Sequence, residues 1–163
     1  MSLNFFRGDC QHPPISVQSF GLCDDQNGTK AYPDTTDSST WIAEVKNRNR
    51  LPIVFTAIDK CIIEDHELPD KGRCDAMLTT SDHLYLIELK DQRAEWIEVA
   101  KEQLVSTIEL LLKNHDISGY RYKKAFACNR KRGKFAYIDN EENLTLFRRT
   151  GFRIDVQAEV VVV

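Results

Sequence analysis

The chain has 163 residues, 42% of them hydrophobic, with a formal net charge of −3. That is enough apolar content for one domain with a real core, and the net charge by itself does not mark a nucleic-acid binder. No apolar run reaches transmembrane length, and Met1-Ser2-Leu3-Asn4-Phe5-Phe6-Arg7 lacks both the basic start and the long apolar stretch of a signal peptide, so a cytoplasmic protein with no membrane partner is expected. Cys10, Cys23, Cys61, Cys74 and Cys128 show no Cys-x-x-Cys spacing and read as reduced interior thiols.

Along the chain, residues 21–40 are polar and turn-rich, which predicts a long loop or lid inside a single domain spanning 1–163. Trp41 to Asn47 is compatible with a short helix capped by Ser39 or Thr40 and with a strand, the helix being slightly favoured. Leu51 to Ile63, rich in Ile, Val and Phe, predicts a strand in which Asp59 and Lys60 stand out as charges. Glu64-Asp65-His66-Glu67 reads as a connector. Two further strands, Arg73–Thr79 and Leu84–Lys90, flank the turn-like Thr80-Ser81-Asp82-His83. A helix from about Gln92 to Lys113 follows, with Ile97, Ala100, Leu104, Ile108 and Leu111 on one stripe and Gln103 at its edge. Strands are then expected at Tyr122–Cys128, Phe135–Ile138 and Leu144–Arg148, with a last run from Phe152 to Val163. The apolar end of that run should be buried in the sheet or against a second copy of the chain.

The chemistry concentrates in the hairpin. If its turn centres on Ser81 and Asp82, opposed residues have numbers summing to 163, and Asp75 lies across from Glu88 with Cβ atoms roughly 4.5–5.5 Å apart. Alternation along a strand puts Glu88 and Lys90 on the face of Asp75, and Ile87 and Leu89 on the other. Two carboxylates suffice to hold Mg²⁺, which keeps several waters and phosphate oxygens in its octahedron. Lys90 then offsets phosphate charge or orients a nucleophile. The same residues would also serve as a strand end with a surface ion pair, worth about 0–1 kcal/mol. A second acidic-x-Lys triplet, Glu44-Val45-Lys46, has only a polar loop before it.

Asp75, Glu88-Leu89-Lys90 and the helix carrying Gln103 resemble the PD-(D/E)xK nuclease superfamily, the restriction-endonuclease-like fold. The resemblance covers about a quarter of the chain. It implies an α/β domain with a central mixed β-sheet flanked by helices, and Mg²⁺ or Mn²⁺ held by Asp75, Glu88 and the carbonyl of Leu89. It also makes Lys90 the catalytic lysine and Gln103 the glutamine that some branches place on the next helix. Glu44 would supply the acid often found on the family's first helix if residues 39–48 are helical, and Asp59 is a further candidate acid. Cys74 stands where proline often precedes the aspartate, and Thr107 where an aromatic sometimes follows the glutamine.

Charge distribution supplies the surface such an enzyme needs. Residues 1–118 hold 12 Lys and Arg against 20 Asp and Glu, whereas residues 119–153 hold 10 against 3. Lys123, Lys124, Arg130, Lys131, Arg132 and Lys134 lie in that basic stretch and are the candidates for gripping a phosphate backbone, unless the stretch is only a solvated loop. The expected function is Mg²⁺-dependent hydrolysis of nucleic acid, DNA before RNA, with a homodimer through the C-terminal strand as a family-level expectation. The alternative is a catalytically inactive module of the same fold that binds nucleic acid or a protein.

Overall fold

The computed structural model describes residues 3–69, 71–131 and 137–163. In chain order its strands begin with β1 (Ser19–Cys23), β2 (Tyr32–Asp34), β3 (Ala43–Lys46), β4 (Val54–Ala57), β5 (Ala76–Thr79) and β6 (His83–Lys90). Helix α1 (Ile97–Asn114), strand β7 (Tyr122–Asn129), helix α2 (Asn140–Thr150) and strands β8 (Arg153–Val156) and β9 (Glu159–Val161) follow. They form two mixed sheets, a five-stranded one in the order β4-β5-β6-β7-β8 and a four-stranded one in the order β2-β1-β3-β9.

Strand β6 lies at the middle of the larger sheet because both of its faces are apolar, as a strand covered on two sides must be. Leu84 and Leu86 pack with Ala100, Leu104, Ile108 and Leu111 of α1. Tyr85, Ile87 and Leu89 pack instead with Phe20, Leu22 and Val45 of the four-stranded sheet. Both helices contribute to the first of these cores, through the α1 residues above and Leu146 of α2. The class is therefore α/β, but the larger sheet is covered by helices on one face and by a second sheet on the other, not by helices on both.

Several local expectations change. Residues 41–47 hold a strand, β3, in place of the favoured helix: Ala43 and Val45 are buried while Glu44 and Lys46 are half-exposed, a period of two. The expected loop at 21–40 contains the end of β1, all of β2 and a 3-10 turn at Ser38–Thr40. Trp41 lies over Gly21, where a Cβ would fall about 2 Å from the indole ring. The strand over Leu51–Ile63 shortens to β4, because the chain turns at Lys60 (φ 69°) and Ile63 N–H donates back to the Ile58 carbonyl. Ile58, Ile62 and Ile63 stay buried through that turn.

Helix α1 starts five residues later than expected, after Glu95 with φ 57°. Leu144–Arg148 is helical, inside α2. Asp139 accepts from Glu141 N–H and Glu142 N–H at its start, Gly151 (φ 85°) ends it, and Arg148 and Arg149 occupy its last turn. Of the strand expected at Phe135–Ile138, Phe135 and Ala136 lie outside the described residues, and Tyr137 and Ile138 are not in a strand.

The C-terminal run divides between the sheets. Strand β8 pairs with β7, and β9 pairs in parallel with β3. Val160 and Val162 are buried against the chain's own core, which removes the apolar surface invoked for a homodimer. Cys10 and Cys61 form a disulfide with Cα atoms 5.8 Å apart, while Cys23, Cys74 and Cys128 are buried free thiols. The expectation of five reduced thiols is corrected for that pair, and with it goes the thiol argument for a cytoplasmic location. Among the described residues no helix is long and apolar enough to cross a membrane.

Candidate functional site

The hairpin forms in the register that its turn dictates. Ala76 pairs with Ile87, Met77 with Leu86, Leu78 with Tyr85 and Thr79 with Leu84, each couple summing to 163. Asp75 N–H extends the ladder by donating to the Ile87 carbonyl at 3.0 Å, which brings Asp75 opposite Glu88. Both side chains face the α1 layer, as alternation from Met77, Leu84 and Leu86 requires. Asp75 is 8% and Glu88 2% exposed.

Two carboxylates so placed interact strongly. Their side chains lie within hydrogen-bonding reach of each other. Burial pushes the Asp75 carboxyl up to about 7, against the lowering effect of the Leu89 N–H that donates to its Oδ2 at 2.7 Å. Burial and the neighbouring Asp75 charge raise Glu88 well above the carboxylate range, with the Lys90 ammonium opposing them. Lys90 Nζ stands 3.1 Å from Glu88 Oε2 with both side chains largely buried, and Glu88 Oε1 is a buried oxygen without a hydrogen-bond donor.

The backbone around the pair is opened by α1. Cys74 N–H does not continue the ladder; it donates to Thr107 Oγ1 at 2.8 Å, and that hydroxyl donates to the Gln103 carbonyl at 2.7 Å. Leu89 directs its N–H towards Asp75, so its carbonyl lies on the same edge of β6, where β5 has ended. Gln103 lies one turn before Thr107 on α1. Its Oε1 is buried without a partner, and Gly72 packs so closely that a Cβ there would be 3.3 Å from Gln103 Cα. Thr107 is thus the anchor of the strand end at Asp75, a role that nothing in the sequence signals. Thr107→Val should leave the Cys74 N–H buried and unpaired, lowering stability by about 1–3 kcal/mol in urea unfolding.

The remaining candidate acids are placed differently. Glu44 is on β3, where it accepts a hydrogen bond from Ser19 Oγ and lies 3.3 Å from Lys46 Nζ. It has no helix to bring it to the pair, so the family-helix place proposed for it is corrected. Asp59 is held by Arg73 at 2.8 Å, and Arg73 also meets Asp65 at 3.1 Å. Asp59 still adds its charge to the field at Asp75, as does Asp24, which directly follows β1 and which sequence reasoning missed. Glu64, His66 and Glu67 bring three ligand atoms within 4.8 Å of one another, on an exposed connector.

The basic residues separate into two groups. Arg130 N–H donates to the Lys90 carbonyl, and Lys131 Nζ is 3.8 Å from Asp91, the residue after Lys90. Asn129 ties down the same corner by exchanging two hydrogen bonds with the Gln92 backbone. Lys123 and Lys124 pair along β7 with Leu84 and Tyr85, at the far end of β6 and about 20 Å from Lys90. Arg132 and Lys134 lie outside the described residues.

No protein-family model, curated protein or solved structure matches the chain.

Proposed function

We propose that the chain is a divalent-metal-dependent nuclease of the PD-(D/E)xK type acting on DNA, with Asp75, Glu88 and Lys90 as its reacting centre. The observation that carries this reading is a pair of opposed carboxylates, buried together with one ammonium at a strand end. Burying two like charges is costly; a proton on the pair relieves that cost at low pH, and a bound cation relieves it at the pH where both would otherwise be charged. Cysteine, histidine and amide ligands are absent from the pair, and an all-oxygen donor set suits Mg²⁺ or Mn²⁺.

The residues fit such an ion on one further count, the undonated Glu88 Oε1. Asp75 and Glu88 would hold it, with the Leu89 carbonyl as a third oxygen. Bound there, the metal supplies charge neutralisation at the phosphate and a water of lowered pKa. Lys90 is fixed by Glu88, so its ammonium has little freedom to lose when it meets a non-bridging phosphate oxygen or the attacking water. The buried Gln103 Oε1, which accepts from no donor, can accept a hydrogen bond from a water on the α1 side. Arg130, whose guanidinium donates to the Ser39 carbonyl, and Lys131, whose ammonium meets Asp91, supply charge for the backbone of the substrate.

The test is cleavage of mixed DNA and RNA substrates by the wild-type protein at low salt, with Mg²⁺, with Mn²⁺ and with chelator. Cutting that needs the metal and favours DNA is expected. A folded protein inert on every substrate with either ion would remove the nuclease reading.

A further inference from the structure

At the end of β6 remote from Lys90, a groove of about 570 Å³ is lined by Tyr120, Arg121, Lys123, Lys124, Phe147 and Arg153. It is the size of pockets that hold compact ligands. One carboxylate, Asp155, faces these four cations, and Lys124 meets it at 3.5 Å. Lys123 is drawn to the end of α2: a Cβ on Gly151 would lie 3.3 Å from its Cε. A cation suits the negative pole of a helix. Arg121 and Arg153 are the charges left over, for neither makes an ion pair or hydrogen bond with a described residue.

Both arginines are held by rings instead. The Arg121 guanidinium lies 5.2 Å from the Tyr122 centroid and that of Arg153 4.6 Å from Phe147. Stacking of this kind orients the guanidinium while leaving its N–H donors available to phosphate oxygens. Phe147 is 42% exposed, an apolar ring offered to solvent between cations. Phosphates alone would not need it, and an acidic peptide would leave it unused. A base face would use it.

We propose that this groove is a second nucleic-acid site, which takes a single-stranded segment by pairing its phosphates with Arg121 and Arg153 and packing a base against Phe147. Single strands present the base faces that a duplex keeps stacked, and aromatic rings set in a positive groove are suited to them. As an extension of the nuclease reading the inference rests on it, yet its binding step uses none of Asp75, Glu88 or Lys90, so the two fail separately.

The experiment is fluorescence anisotropy in chelator, using a labelled single-stranded oligothymidylate of twelve nucleotides and a twelve-base-pair duplex. The wild type should bind the single strand more tightly than the duplex. Arg121→Ala/Arg153→Ala, both at exposed positions, should weaken single-strand binding at least tenfold. It should also flatten the dependence of log K on log salt by about 1.4, two phosphates at about 0.7 each. Phe147→Ala should weaken the same binding with the salt slope unchanged. The inference is overturned if the double variant binds as the wild type does, if the duplex is preferred, or if polyglutamate competes as well as the oligonucleotide. Wild-type binding lost in the double variant, without cutting in Mg²⁺, would leave the groove standing and remove the nuclease reading alone.

Discussion

Replacing Lys90 by alanine is expected to lower metal-dependent DNA cleavage by about 100- to 1000-fold, the usual effect of removing one charged group aimed at a reacting phosphate. The ammonium is fixed 3.1 Å from Glu88 Oε2 and its side chain is only 12% exposed. It acts on two things at once. It stabilises charge on the phosphate, and it opposes the burial that pushes the Glu88 carboxyl up. Without it Glu88 holds its proton to still higher pH, so the remaining activity of the variant should rise more steeply with pH than that of the wild type. Lys90→Arg should not restore the rate, because a planar guanidinium cannot take the place of a compact ammonium beside Glu88. Single-turnover rates from pH 6 to 9 in Mn²⁺ would show both effects, and a Lys90→Ala rate within threefold of wild type at every pH would refute them.

Asp75→Asn should make the protein more stable in chelator at pH 8 while destroying its response to metal. The Asp75 carboxyl is raised from its ordinary 3.8 to about 7. A group raised in this way binds its proton more tightly folded than unfolded, so its favourable contribution is complete below about pH 4. It is lost as the pH climbs towards 7. At pH 8 the folded protein carries the cost of the buried charge in full. Asparagine keeps an oxygen for the Leu89 N–H and offers Glu88 a donor where there was a second carboxylate. The gain should be roughly 1–4 kcal/mol at pH 8 and near zero at pH 4. Urea midpoints at the two pH values decide the matter: a variant less stable than wild type at pH 8, or one whose advantage over wild type does not shrink between pH 8 and pH 4, would count against it. Stability given up at a charged site is what a binding function would require.

How much of this was visible in the sequence differs from element to element. The register of β5 on β6 was legible because Thr80 to His83 is short enough to leave few pairings, and because a slip of one residue would turn Leu84 and Leu86 away from the helix core. The stripe on α1 was legible from its spacing: Ala100, Leu104, Ile108 and Leu111 are buried together, with Ile97 partly buried beside them. The sequence was misleading where local pattern and long-range pairing compete. Leu144, Leu146 and Arg148 alternate like a strand, yet the cap at Asp139 and the left-handed Gly151 were the stronger signals. Residues 41–47 have a weak preference of their own, and β1 on one side with β9 on the other decide for a strand. The second sheet was hidden because its strands run three to five residues and are joined across the chain's two ends. The Cys10–Cys61 bond could not be read from an odd count spread along the chain. The juxtaposition of Asp75, Glu88 and Lys90 was legible from strand alternation and the assumed turn register. The charge of Asp24 and the anchoring role of Thr107 were not, since both depend on tertiary packing against the strand end.

The measurement that bears most directly on the central claim is a titration of the wild type and Asp75→Asn with Mn²⁺ at pH 8, read by electron paramagnetic resonance of the free ion. The account predicts that the wild type takes up Mn²⁺ at the Asp75–Glu88 pair and that the variant loses this uptake while remaining folded. Equal uptake by both proteins would assign the ion elsewhere, with the exposed Glu64 and His66 and the half-buried Glu67 as the next place to look. No uptake by the wild type would contradict the claim that the buried carboxylates are a metal site at all.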